Sequence, residues 1–169
     1  MNIDDFNAEF ETFRAPLKSY LLRMTASVQD AEDLVQDAYV KAHQKLSTFK
    51  GASSLKTWVF AIASNLTRDF LSAKKRWPAN VTDICKEAAL NNPAFFAEAM
   101  DLRHNSPQGN FEIREHISFC FTCVSRSLPL EQQLSLFLKE VYEFKVKEIA
   151  EILGTNEPMI KYYLHQGRS

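Results

Sequence analysis

Apolar residues along this chain recur at intervals of three and four, and no apolar–polar alternation runs long enough to make a strand. That pattern restricts the fold to an all-α one. Phe10, Phe13, Leu17, Leu21 and Met24 form the first stripe, with Pro16 either kinking that helix or opening its second half. After a break at Thr25 to Ser27, Ala31, Leu34, Val35, Ala38, Ala42 and Leu46 repeat at helical spacing. Ser27 and Asp30 make an acidic capping box at the start of this second helix, expected over about residues 28–46.

FKGASS (49–54) reads as a loop, with Gly51 and two serines supplying the turn chemistry. The next helix, about residues 55–76, has two distinct sides. Trp58, Val59, Ile62, Ala63, Leu66 and Phe70 are expected to be buried; Thr57, Ala61, Ser64, Arg68, Ser72 and Lys75 form a small, polar and basic stripe expected to be open, with Asn65 beside it. Pro78, Pro93, Pro107, the Asn91–Asn92 pair and Gly109 then interrupt any long pattern, which marks a linker with one short helix in FFAEAMDLR. Beyond it come a helix through HISFCFTCVSRS, a stop at Pro129, a helix over about 130–143, and the helix KVKEIAEIL ending at Gly154. Thr155 or Asn156 caps a final helix, EPMIKYYLHQG. Two short helices joined by a glycine-containing turn describe a helix-turn-helix.

The net charge of −1 hides a strong asymmetry. Residues 1–37 hold eight acids against three bases, whereas residues 38–80 hold eight bases against Asp69 alone. The basic segment is a footprint for phosphate, and the acidic one suits a basic protein surface. With Phe49, Trp58, Phe60 and Trp77 close by, Lys50, Lys56, Arg68, Lys74, Lys75 and Arg76 could track an unstacked single strand. In the helix-turn-helix, Met159, Lys161, Tyr162, His165 and Gln166 are the side chains able to reach base edges or phosphates. No nucleophile with a base, carboxylate pair or phosphate-cradling loop is visible, so an enzyme is not expected. No stretch approaches the roughly 18–20 apolar residues of a membrane span, and the acidic amino terminus is unlike a secretory signal; a cytoplasmic protein without a membrane partner is expected.

HISFCFTC places His116, Cys120 and Cys123 at offsets of four and three, a ligand set that zinc accepts. Three ligands are too few for a closed structural site. A fourth would come from Cys85, His104 or Glu115, or from outside the chain. The competing reading is that both cysteines are small buried apolar residues. An odd number of cysteines, three, fits free thiols better than a disulfide framework.

DAEDLVQDAYVKAHQKLSTFKGASSLKTWVFAIASNLTRDFLSAKKR (30–76) resembles region 2 of bacterial extracytoplasmic-function sigma factors of the sigma-70 family. SLPLEQQLSLFLKEVYEFKVKEIAEILGTNEPMIKYYLHQGR (127–168) resembles their region 4. The resemblance implies two small helical domains joined by a linker: region 2 over residues 1–77, a linker over 78–112 and a region 4 helix-turn-helix over 113–169. It implies a non-enzymatic factor that binds core RNA polymerase through the β′ clamp and β flap, recognises promoter −10 and −35 elements, and promotes melting. Asp30, Glu32, Asp33, Gln36 and Asp37 are assigned to the polymerase by this likeness. Loop residues Phe49, Lys50, Gly51, Ala52, Ser53, Ser54 and Leu55, with Thr57, Asn65 and Arg68 on the helix, are assigned to the −10 strand. Met159, Lys161, Tyr162, His165 and Gln166 would face the −35 duplex. No cofactor is required in such a factor, an anti-sigma protein is a further expected kind of partner, and the His/Cys motif would be a regulatory addition. Two departures stand out. Tyr162, Tyr163 and Gln166 lie where the family usually has more arginine, and Gly167 lies where it usually has alanine. The other readings left by the residues are an autonomous helix-turn-helix regulator and a metal- or thiol-sensing module.

Overall fold

The computed structural model describes residues 2–25, 27–73 and 128–168. Among them there are helices and connecting turns and no strand. None of the helices is long and apolar enough to cross a membrane. Apart from Leu128 and Pro129, they belong to one compact unit made of residues 1–76 and 130–169. The expected linker, the FFAEAMDLR segment and the HISFCFTC segment lie outside the described residues.

Three long helices make the first group: α1 (Ile3–Thr25), α2 (Val28–Gln44) and α3 (Leu55–Ala73). A single 3-10 turn, Leu46–Thr48, follows α2, so the second helix ends slightly earlier than its periodicity suggests. Helix α1 runs uninterrupted through Pro16. Its expected stripe is buried together with Phe6 and Tyr20. Each such side chain contributes roughly 1.5–3 kcal/mol on burial, so the stripe, rather than helix propensity, holds α1 in place. Phe6 and Phe10 also meet Tyr39 of α2, at centroid separations of 5.6 and 5.1 Å. Ser27 accepts the Asp30 N–H at 3.2 Å, capping α2 at the end where Asp30 also complements the helix dipole.

The second group begins with α4 (Leu130–Leu136), which widens into a π-helical turn over Phe137–Val141. The loop that follows holds Glu143 at φ 59, a left-handed conformation uncommon outside glycine. Helices α5 (Val146–Leu153) and α6 (Glu157–Arg168) complete the helix-turn-helix. Gly154, at φ 65, ends α5, and Asn156 rather than Thr155 caps α6 by accepting the Met159 N–H at 3.0 Å. Ile160 and Leu164 anchor α6 by one side, leaving the other open.

Helix α3 packs against α1 and α2 on one flank and against α5 on the other. This corrects the two-sided expectation. Thr57 and Ser64 of the supposedly open stripe are 1% and 0% exposed, while Trp58, Ile62 and Phe70 of the supposedly buried one are only half-buried. At the centre Tyr20 Oη and Ser64 Oγ are hydrogen-bonded at 2.9 Å, a polar pair wholly removed from water. Burial pushes the Tyr20 phenol well above its ordinary value near 10, and the Ser64 bond offsets this only in part.

Two stability measurements check this packing. The folded state keeps the Tyr20 phenol protonated, so its contribution is complete below about pH 10 and is lost as pH rises toward the elevated folded-state value, with a slope of at most ~1.4 kcal/mol per pH unit. Tyr20→Phe should cost about 1 kcal/mol at neutral pH through the orphaned Ser64 hydroxyl, yet show a shallower alkaline loss than the parent in denaturant titrations. Gly154→Ala should cost about 1 kcal/mol for conformational reasons alone, because a Cβ there meets nothing within 4 Å.

Candidate nucleic-acid interface

The loop before α3 is built by its own short-range bonds. Ser54 Oγ accepts the Thr57 N–H at 3.0 Å and lies 2.8 Å from Thr57 Oγ1, capping α3 with a side-chain pair. Thr57 thus holds the loop from beneath, because it is buried. Leu55 is buried and anchors the loop; Lys50, Gly51, Ala52 and Ser54 are exposed, with Phe49 and Ser53 half-buried. Gly51 makes the turn at φ 70. Phe49 rests on Trp58, ring centroids 5.0 Å apart, so the two rings form a wall beside the polar loop. The arrangement offers exposed backbone and hydroxyl groups next to aromatic faces, which suits an unstacked base.

Farther along α3, Asn65 is exposed and Arg68 is half-buried. The guanidinium is heavily committed. Its Nε and Nη2 donate to the two Glu131 carboxylate oxygens at 2.9 Å each, Nη2 also donates to the Leu153 carbonyl at 3.1 Å, and Nη1 donates to Asn65 Oδ1 at 2.8 Å. The bonds to Glu131 hold the Arg68 proton still more tightly than usual, so the group is a fixed cation at any working pH. Lys56 has its ammonium 4.7 Å from the Phe144 ring centroid, a cation–π contact. Lys74, Lys75, Arg76 and Trp77 lie outside the described residues.

On α2, Glu32, Asp33, Gln36 and Asp37 share one exposed face, and Asp30 is half-buried at its start. Glu32 pairs with Lys18 of α1, and that hydrogen bond lowers the Glu32 pKa. Glu32 and Gln36 also edge a groove of ≈830 Å³ between α1 and α2, bordered from α1 by Arg14 and Lys18. These two bases escape a reading of the sequence because they sit on the other helix. The packing of Phe6 and Phe10 against Tyr39 holds the two helices together. Tyr39 Oη donates to Asn7 Oδ1 at 2.9 Å, tying the groove closed at one end.

On α6, all five expected groove-reading residues are exposed, Met159 by 40% and Tyr162 by 53%. Arg168, the last described residue of α6, is ion-paired with Glu140. His116, Cys120 and Cys123, and the further ligands Cys85, His104 and Glu115, lie outside the described residues. Among the described residues no group of three or more His, Cys, Asp or Glu could hold a metal ion.

Comparison with known proteins agrees with this layout. Residues 10–77 match the family model described as Sigma-70 region 2, and residues 118–169 match Sigma-70, region 4. The chain is 30% identical over 174 residues to the ECF RNA polymerase sigma factor SigG of Mycobacterium tuberculosis, covering 98% of this chain and 47% of SigG. It therefore spans about half the length of that relative. It is also 30% identical over 134 residues to the ECF RNA polymerase sigma-E factor of Haemophilus influenzae, covering 79% of this chain and 68% of that one. In fold it is similar to the sigma factor RpoE of Bartonella quintana, solved in complex with the anti-sigma factor NepR, with a TM-score of 0.63, 21% identity, and 98% and 93% of the two chains covered. With both regions present in order and a sigma-E relative matched over most of its length, the chain belongs to the extracytoplasmic-function sigma factors of the sigma-70 family.

Proposed function

We propose that the chain is a promoter-specificity subunit that acts bound to core RNA polymerase in the cytoplasm, without a required cofactor. The observation that carries this reading is spatial: three chemically different exposed surfaces occur together. They are an acidic helix face on α2, a Gly/Ser loop with an aromatic wall before α3, and an open recognition helix α6. The α2 face, with Asp30, Glu32, Asp33, Gln36 and Asp37, takes the basic coiled coil of the β′ clamp, and the helix-turn-helix half reaches the β flap. The loop from Phe49 to Leu55 receives a flipped base of the −10 element. Extruding a base costs a few kcal/mol, offset by loop contacts and by Asn65 and Arg68 on the strand. Thr57 acts on the loop through Ser54 and does not touch DNA. Helix α6 reads the −35 duplex with Met159, Lys161, Tyr162, His165 and Gln166.

In this reading residues 1–77 form region 2, 78–112 a linker and 113–169 region 4; the matched spans 10–77 and 118–169 support the division. An anti-sigma protein is a further partner, a proposal supported by the complex in which the Bartonella quintana relative was solved. The offsets of His116, Cys120 and Cys123 support a separate regulatory metal or thiol site. Elemental analysis of the purified protein tests it. Bound zinc lost in a Cys120→Ser, Cys123→Ser variant supports the site, whereas no zinc and an unaltered response to oxidant leaves the motif as packing.

Run-off transcription with core polymerase on a randomised promoter library tests the main reading. Defined −10 and −35 preferences should emerge only when both proteins are present. A double Asp33→Ala, Gln36→Ala variant should bind core at least about thirtyfold more weakly, a loss on the order of 2 kcal/mol. Tight binding to duplex DNA by the chain alone, with no effect of core polymerase, would instead establish an autonomous helix-turn-helix regulator.

A further inference from the structure

Ile160 and Leu164 anchor α6 at 0% and 5% exposure, so the opposite side of the helix is the one presented outward. Along that side Met159, Tyr162 and Gln166 follow one another at steps of three and four, and all three are exposed. Two of them are apolar where apolar surface is scarce. Among the described residues five large hydrophobic side chains are exposed; α6 carries Met159 and Tyr162, whereas Ile3, Val28 and Val40 are dispersed over α1 and α2. The stripe is held in place by its neighbours. Asn156 Oδ1 accepts the Met159 N–H at 3.0 Å and fixes the first turn, and the half-buried Tyr163 backs the Tyr162 ring with centroids 6.0 Å apart. Lys161 flanks the stripe and supplies a cation for a phosphate. The one arginine of α6, Arg168, lies at the far end of the helix and is held by Glu140.

We propose that α6 selects A·T pairs at two neighbouring steps of the −35 element, with Met159 and Tyr162 each covering the C5 methyl group of a thymine and Gln166 bonding an adenine farther along. The inference rests on the reading of α6 as the −35 recognition helix. Its basis is the chemistry of the major groove. Thymine is the one base that shows a methyl group there, and a thioether or an aromatic ring covers that methyl at the cost of no polar group. A carboxamide such as that of Gln166 matches the N6 and N7 atoms of adenine, so the whole stripe favours the same kind of pair. Spacing sets the neighbouring steps. Three residues advance about 4.5 Å along a helix, and successive base pairs are about 3.4 Å apart, so Met159 and Tyr162 meet adjacent pairs rather than one.

The test uses holoenzyme assembled from the full chain and core polymerase on a promoter recovered from the randomised library. Recovered −35 elements should carry A·T pairs at two neighbouring positions. Replacing either thymine by deoxyuridine removes one methyl and keeps the pairing, and should weaken holoenzyme binding about fourfold, the worth of one buried methyl group. The same replacement in the spacer between the two elements should have no effect. Met159→Ala should abolish the penalty at one of the two positions and Tyr162→Ala at the other. Both side chains are exposed, so both variants should stay folded and bind core polymerase without DNA as the parent does. Three results would overturn the proposal: deoxyuridine tolerated at every −35 thymine, a penalty that persists undiminished in both variants, or variants that lose affinity for core polymerase itself. The last would make the stripe a protein contact. If the parent chain gives no polymerase-dependent initiation, the sigma reading falls and this inference with it; specific initiation that ignores the methyl groups removes this inference alone.

Discussion

The two-sided burial of α3 is the constraint on which the rest of the structure depends. One flank closes the three-helix core through Val59, Ala63 and Leu66; the other carries Lys56, Phe60 and Arg68 and meets the second half of the chain. Lys56 and Arg68 at that contact are satisfied by the Phe144 ring, the Glu131 carboxylate and the Leu153 carbonyl.

The energetics divide along the same line. Aromatic packing among Tyr20, Phe60, Tyr142 and Phe144 supplies the bulk of the attraction across α3, because large rings bury the most apolar surface. The Arg68–Glu131 pair is about a quarter and a third exposed, so its net contribution to stability is small once desolvation and screening are counted. On α2 the acids are likewise exposed, and the Glu32–Lys18 pair adds little to folding.

Much of this was legible in the residues, for identifiable reasons. The α1 stripe, the α2 stripe and the helix-turn-helix follow from period and capping, which are local and carry over directly into the backbone. The loop at FKGASS is announced by Gly51 and the serines, and the structure gives that glycine a left-handed turn. Burial of Ser64 was not legible, because it is imposed by Tyr20, forty-four positions away. Polar residues at an internal contact look like polar residues at a surface until the covering element is in place. The π-helical turn and the left-handed Glu143 likewise carry no sequence signal: neither glycine nor proline marks them, and tertiary contacts set both. Family likeness pointed to Arg68 as a DNA contact; in the fold its guanidinium has a carboxylate partner, Glu131.

Under the proposed function the chain delivers an opened strand to polymerase and does not merely bind duplex. Permanganate footprinting of promoter thymines measures that step directly. Reactive thymines should appear across the −10 element when the chain and core polymerase are present together, and neither protein alone should produce them. Equal reactivity with the chain alone, or a promoter that stays unreactive with the complete holoenzyme on a template it occupies, would contradict the account.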